Sequence, residues 1–206
     1  METSTDSFLS VKAESQGSYR EKASKFMAFA IPVSTEEEVK IRLDILKKKY
    51  HDANHHCYAY RLGLDNPLYR MNDDGEPAGS AGKPIYGQIL SNGLSDILVV
   101  VIRYFGGTKL GIPGLIRAYK RSAREALDNA EVIEKLICIQ IRVSFEFTMM
   151  NEIMRILKEE GVKILNQNAK ERCEIDFSVR KSQVNKVENR MKRLKDVDME
   201  IVDFPN

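Results

Sequence analysis

An α+β protein built of two domains is predicted by three features of the sequence. First, 206 residues is long for one ordinary domain and suits two small ones. Second, the grammar changes partway: ten of the twelve glycines and four of the six prolines fall between Gly63 and Gly114, whereas residues 115–206 contain one of each. Third, stretches of helical period and strand-like stretches occur in both parts. The expected boundary separates residues 1–134 from residues 135–206.

Residues 18–33 (SYREKASKFMAFAIPV) alternate loosely and stop at Pro32, as a strand would. STEEEVKIRLDILKKKY follows, with Ser34 or Thr35 to cap a helix, acids in its first turn and lysines in its last. Val39, Leu43 and Leu46 in it recur at helical spacing. HHCYAYRL reads as a short strand, and LYRMNDDGEP holds a turn at Asp74-Gly75. DILVVVIRYF is apolar on both faces, which predicts a central strand, followed by a helix from about Pro113 to Asn129. The first domain therefore reads β, α, several β, then α.

From Cys138 the order is a strand (CIQIRVSFEF), a helix (MMNEIMRILKEE), a stop at Gly161, and strands about VKILNQNAK and RCEIDFSV. A helix (SQVNKVENRMKRL) and a last strand (DMEIVDF) close it. This β-α-β-β-α-β succession is the ferredoxin-like arrangement, which hosts many functions and by itself gives no activity. Met149, Met150 and Met154 are expected to fill its core.

The chain has no long apolar segment beside a basic start and no run of about eighteen apolar residues. Neither a signal peptide nor a membrane span is expected, and the expected location is cytoplasmic. Cys57, Cys138 and Cys173 are odd in number and widely spaced, which argues against a disulfide framework. Thirty-two basic and thirty acidic residues give a formal charge of +2, so any contact with nucleic acid must come from a local patch.

Three stretches carry possible chemistry. In NDDGEPAGSAGKP, Asp73, Asp74 and Glu76 place three carboxylates within four positions, enough to hold a divalent cation or to raise one pKa. The bland reading is a solvated acidic turn. The small residues from Ala78 to Gly82 let backbone N–H groups approach a ligand. Gly82-Lys83 does not complete a P-loop, because Pro77 stands where its first glycine belongs and Pro84 replaces the magnesium-binding hydroxyl.

The second stretch is RYFGGTKLGIPG with the helix after it. Gly106, Gly107, Gly111 and Gly114 leave backbone donors uncovered near a helix N-terminus, which favours anions. Arg117, Lys120, Arg121 and Arg124 share one helix face beside the apolar stripe Ile116, Tyr119, Ala123 and Leu127. With Arg103 and Lys109 they are six cations available to phosphate, although a merely solvated basic face has the same pattern. In the third stretch, HDANHHCYAY, alternation puts His55 and Cys57 on one face. That is too few ligands for zinc, and a thiol nucleophile activated by His55 competes with a buried structural cysteine. No metal and no cofactor are expected.

DDGEPAGSAGKP at 73–84, VVVIRYFGGTKLG at 99–111 running on to GLIRAY at 114–119, and the pattern AxHxCYAYR from Ala53 to Arg61 together resemble the YigZ/IMPACT family. The flanking pattern extends the resemblance over residues 15–130. Two positions depart from it: His56 stands where the family often has Asn, and Ile112-Pro113 replaces a small or glycine pair. The resemblance implies an N-terminal domain with the fold shared by RNase PH and a small-subunit ribosomal protein. It also implies a C-terminal domain similar to the last domain of elongation factor G.

It further implies a link to translation, with a translation factor or kinase activator as partner. Eukaryotic members, however, carry a different additional domain for that purpose. The preferred function is a non-catalytic, translation-associated factor contacting RNA or the ribosome through the glycine-rich basic surface. The competing readings are a small hydrolase or transferase using Asp73, Asp74, Glu76 or His55 on a phosphorylated substrate, and a protein-interaction module. In any of these, the acidic loop can pack against RYFGG by pairing a carboxylate with Arg103.

Overall fold

A computed structural model describes residues 6–64, 66–169 and 171–202. They form two compact units, Phe8–Lys135 and the residues from Leu136 onward, to which Asp6 and Ser7 attach. The architecture is mixed α/β.

In the first unit, β1 (Ser7–Val11) pairs with β7 (Val132–Leu136) as a small separate sheet. The main sheet has the order β2-β3-β6-β4-β5 and is antiparallel throughout. Its strands are β2 (Ser15–Glu21), β3 (Ser24–Pro32), β4 (His55–Leu62), β5 (Leu68–Asn72) and β6 (Ile97–Tyr104). The central strand β6 is buried on both faces, as its unbroken apolar run requires, with Ile97 through Ile102 all at 0% exposure. Odd positions Ile97, Val99 and Val101 face α2 (Gly82–Ser91) and α3 (Gly111–Asp128). Even positions Leu98, Val100 and Ile102 face Val39, Leu43 and Leu46 of α1 (Glu36–Lys49). The unit is thus three layers deep. Thr35 caps α1 by accepting the Glu38 N–H at 3.2 Å, while Glu38 accepts the Ser34 N–H at 2.6 Å.

Residues 18–33 are not one strand. They lie in a hairpin whose two-residue turn, Lys22-Ala23, has φ of 45° and 64°. Both values are left-handed, as a tight hairpin of this kind needs, but neither residue is among those that enter that region cheaply. Helix α2 was also absent from the expected elements, because Gly82, Pro84 and Gly87 all speak against a helix. Helix α3 starts at Gly111, slightly before Pro113. Its buried stripe is Leu115, Ala118, Tyr119, Ser122, Ala123, Ala126 and Leu127. Ile116, expected in that stripe, is 38% exposed.

The second unit runs β8 (Cys138–Phe145), α4 (Met150–Glu159), β9 (Lys163–Ala169), β10 (Cys173–Arg180), α5 (Val184–Met191) and β11 (Asp198–Ile201). The order β-α-β-β-α-β is present, in an antiparallel sheet β11-β8-β10-β9. The last residues of the expected strand DMEIVDF, 203 and 204, lie outside the described residues. Ile141, Val143, Phe145, Ile175, Phe177 and Val179 form one sheet face against α4 and α5, and Met149, Met150 and Met154 pack at its margin. Alternation leaves Arg142 and Asp176 on the opposite face, paired across neighbouring strands at 2.7 Å.

Phe177 is at 0% exposure in that core. Phe177→Ala should destabilise the protein by about 3–5 kcal/mol, read as a lower urea midpoint with an unchanged slope.

Candidate functional site

The parity of β6 decides where Arg103 goes. Continuing Ile97, Val99 and Val101, it faces α2 and α3, beside His55 of β4 and Phe26 of β3 in the sheet register. Arg103 is only 5% exposed. Its guanidinium lies between the rings of Phe26 and Phe105, 5.5 Å from each centroid. Nη1 donates to Oε1 of Glu76 at 2.5 Å, and Glu76 is 9% exposed. The Tyr119 hydroxyl donates to the same oxygen at 2.8 Å, and His55 Nε2 stands 3.7 Å from it. Burial holds the Tyr119 phenol far above its ordinary pKa, so it remains a donor. The acidic loop and the glycine-rich turn therefore meet, through a buried ion pair with two further partners.

The other two carboxylates go elsewhere. Asp73 Oδ1 accepts the N–H groups of Ala81 and Gly82 at 2.9 and 2.8 Å, and Oδ2 accepts that of Gly79 at 2.8 Å. It caps α2, whose own N-cap residue Ala81 makes no side-chain hydrogen bond. The backbone donors of the small-residue stretch, expected to approach a ligand, are thus taken by the protein's own carboxylate. Asp74, at φ 41°, accepts the His56 N–H on Oδ2 at 2.6 Å, and its carbonyl accepts from His55 Nδ1 at 2.7 Å. The three carboxylates do not share a focus. Among the described residues no group of three or more His, Cys, Asp or Glu side chains is placed to hold a metal ion.

Cys57 is at 0% exposure, with Sγ 3.0 Å from the Asp73 carbonyl and 3.3 Å from the Tyr119 hydroxyl. Burial pushes its thiol far up, the opposite of what a nucleophile needs. It is the buried structural cysteine of the two readings. His56, on the other face of β4, donates from Nε2 to the Tyr50 carbonyl at 3.1 Å. Burial lowers its pKa, against the opposing pull of Asp74.

The glycines of the turn have different tasks. Gly106 is pressed against the β2–β3 hairpin: a Cβ on it would lie 2.1 Å from the Ala23 carbonyl carbon, and its N–H donates to Ser24 Oγ at 3.2 Å. Its place in an anion site is therefore corrected to one of close packing. Gly107 has a φ of 83° and open space around it, so its conformation is what calls for glycine there. Arg103, buried and neutralised by Glu76, does not join the exposed cations. Lys109 does, and so do Arg117, Lys120, Arg121 and Arg124 along the outer face of α3.

Three of these have light partners: Arg117 with Glu21 at 3.6 Å, Arg124 with Asp128 at 3.3 Å, and Arg121 with the Tyr19 hydroxyl at 3.1 Å. Lys109 and Lys120 form no ion pair among the described residues. Lys109 also stands at a cleft of about 360 Å³ whose lining includes Glu76, Pro77, Arg103, Phe105 and Ile112. Of the five residues on which the two site hypotheses rest, Glu76, Arg103 and Lys109 share this cleft, and Asp73 and Asp74 do not line it. Sequence reasoning missed Tyr119 and Phe26 as parts of the site; the signal for Tyr119 was a polar tip in the middle of the α3 apolar stripe.

Glu76→Gln keeps the shape of the side chain and leaves Arg103 buried without its counter-charge. It should destabilise the protein by about 3–5 kcal/mol, and adding Arg103→Met should return much of that, measured by urea unfolding of both variants. His56 supplies a pH dependence. Its folded pKa is lowered, so its contribution to stability is whole above the unfolded value of about 6.5 and is lost as pH falls through the folded value. The His56→Gln variant should therefore show a shallower fall of Tm between about pH 7 and 5 than the parent protein.

The Impact N-terminal domain matches residues 22–127. IMPACT family member YvyE of Bacillus subtilis is 34% identical over 179 residues, covering 87% of this chain and 82% of YvyE. IMPACT family member YigZ of Escherichia coli is 32% identical over 149 residues, covering 71% of this chain and 73% of YigZ. A solved structure described as that of a hypothetical protein aligns with a TM-score of 0.73 at 25% identity, covering 97% of this chain and 98% of that one. With the three motifs gathered at one end of the main sheet and the similarity spanning most of both chains, this protein belongs to the IMPACT family.

Proposed function

We propose that this chain is a cytoplasmic, non-catalytic, translation-associated factor that contacts RNA, free or on the ribosome, through the outer face of α3 and the turn before it. The observation that carries the RNA contact is the row Arg117, Lys120, Arg121 and Arg124, all exposed on one side of an eighteen-residue helix with Lys109 at its N-terminal end. Side chains three and four positions apart lie one above another, so the row is about two turns long and can follow successive phosphates. Its arginines are exposed, and the pairs they make within the protein, Arg117 with Glu21 at 3.6 Å and Arg124 with Asp128 at 3.3 Å, are long and of little net worth, so phosphate oxygens can replace them. The translation part of the reading rests on the family resemblance.

The architecture agrees with such a role. We read Phe8–Lys135 as an RNase PH-like domain, and the unit from Leu136 onward as ferredoxin-like, with its split β-α-β order and strand order β11-β8-β10-β9. Catalysis has less support, since Asp73 caps a helix, Asp74 holds the start of β4 and Glu76 neutralises Arg103. No helix among the described residues is long and apolar enough to cross a membrane.

The test is a salt titration of binding to single-stranded RNA. Affinity should fall steeply with salt, and the triple variant Arg117→Ala, Lys120→Ala, Arg121→Ala should reduce the log–log slope by about 2, near 0.7 for each lost phosphate contact. Binding that ignores both the salt and these substitutions would sink the reading.

A further inference from the structure

The tip of the β2–β3 hairpin breaks two local rules at once. Arg20 and Lys25 stand directly opposite each other across the two strands, a like-charge pair that lowers stability. Between them the chain turns through Lys22 and Ala23, both left-handed, where Asn-Gly would turn more easily. Arg20 and Lys22 are exposed and Lys25 is half-buried, and none of the three forms an ion pair or a side-chain hydrogen bond among the described residues. The one acid of the tip, Glu21, is already engaged, by Arg117 at 3.6 Å and by the Tyr19 hydroxyl at 3.4 Å. Unfavourable local choices with no internal compensation mark sites that are completed from outside the protein.

Its neighbours place the tip beside the basic face of α3. Glu21 touches Arg117, and on the other side of the turn Ala23 and Ser24 lie against Gly106, three residues before Lys109. Lys22 therefore lies between a contact to the basic helix and a contact to the turn that leads into it. Tyr19 and Phe26 face α3, the first bonded to Arg121 and the second edge-on to the Tyr119 ring, so alternation sets Arg20 and Lys25 on the opposite side of the sheet. Resting on the RNA reading above, we infer that the hairpin tip is a second phosphate site for the same single-stranded RNA, with Lys22 at its crest and Arg20 and Lys25 beyond it. A compact anion would serve only one side of the tip. An RNA strand carries a charge at every nucleotide, so it can leave the α3 row, cross Lys22 and continue over Arg20 and Lys25. Phosphate oxygens there supply the counter-charge that separates the opposed pair.

The experiment uses the full chain and a single-stranded oligouridylate, with binding measured across a range of salt. Arg20→Gln, Lys22→Gln and Lys25→Gln together should lower the log–log slope by about 2, near 0.7 for each lost phosphate contact, and weaken binding at low salt. The same variant should melt no lower than the parent, because it removes a like-charge pair, so its loss of affinity is not a loss of fold. Lys22→Asn with Ala23→Gly should raise Tm by easing the turn while lowering the slope by about 0.7. Parental slope and affinity in both variants, with the α3 triple variant still reducing the slope, would overturn the hairpin site and leave the α3 reading standing. No RNA binding by the parent protein would remove both. Polyglutamate that binds the parent as tightly as the oligouridylate, and loses affinity in the glutamine variant, would make an acidic protein the occupant and overturn the assignment to RNA.

Discussion

The Arg103–Glu76 ion pair sets the terms for everything unusual at its end of the main sheet. An arginine cannot follow Val99 and Val101 into the space beneath two helices unless a carboxylate goes with it, since an unpaired buried charge costs several kcal/mol. The carboxylate comes from a loop 27 residues earlier in the chain. Delivering Glu76 there obliges the loop to fold over the start of β4, which brings in Asp74 and the two histidines. The same delivery puts Asp73 where it can cap α2. Tyr119 completes the pair from above, so α3 is held in the same arrangement. The stretches that looked like separate motifs are parts of one polar knot with an apolar jacket of Phe26 and Phe105.

How the sequence discloses this depends on distance along the chain. Helix α1, strand β6 and the succession in the second unit are written in local periodicity, and they read directly. The Lys22-Ala23 hairpin turn is not, because its left-handed backbone belongs with Asn-Gly rather than Lys-Ala. It stands where Gly106 presses against it. Helix α2 was illegible for a similar reason: its cap lies nine residues before its first turn, and Gly82, Pro84 and Gly87 hide its pitch. Within the site, the pairing of Arg103 with the acidic loop was within reach of the sequence, and so was the exposure of the α3 cations. Treating Arg103 as a free cation overlooked parity, since the residue two places after Val101 shares its buried face.

The two faces of β4 show how one short segment serves opposite ends. His55 turns toward the ion pair and accommodates Gly75 of the loop close to its ring, while His56 turns toward Tyr50 behind the sheet. The adjacent Asp74 is bonded to both, through its carbonyl and its carboxylate. The loop is thereby fastened to the strand on each side, which places Glu76 at a definite depth.

The Asp73 cap has a consequence for the protein's life among phosphate metabolites. A glycine-rich bend followed by a helix, with backbone N–H groups converging, is a receptor for anions. Here the receptor and its anion are one molecule. Three donors close on a carboxylate tethered by a few residues, and tethering gives that carboxylate an effective concentration in the millimolar range or above. Free phosphate or a nucleotide must displace it to enter, and a short tether favours the resident. The loop thus fills its own anion receptor with Asp73.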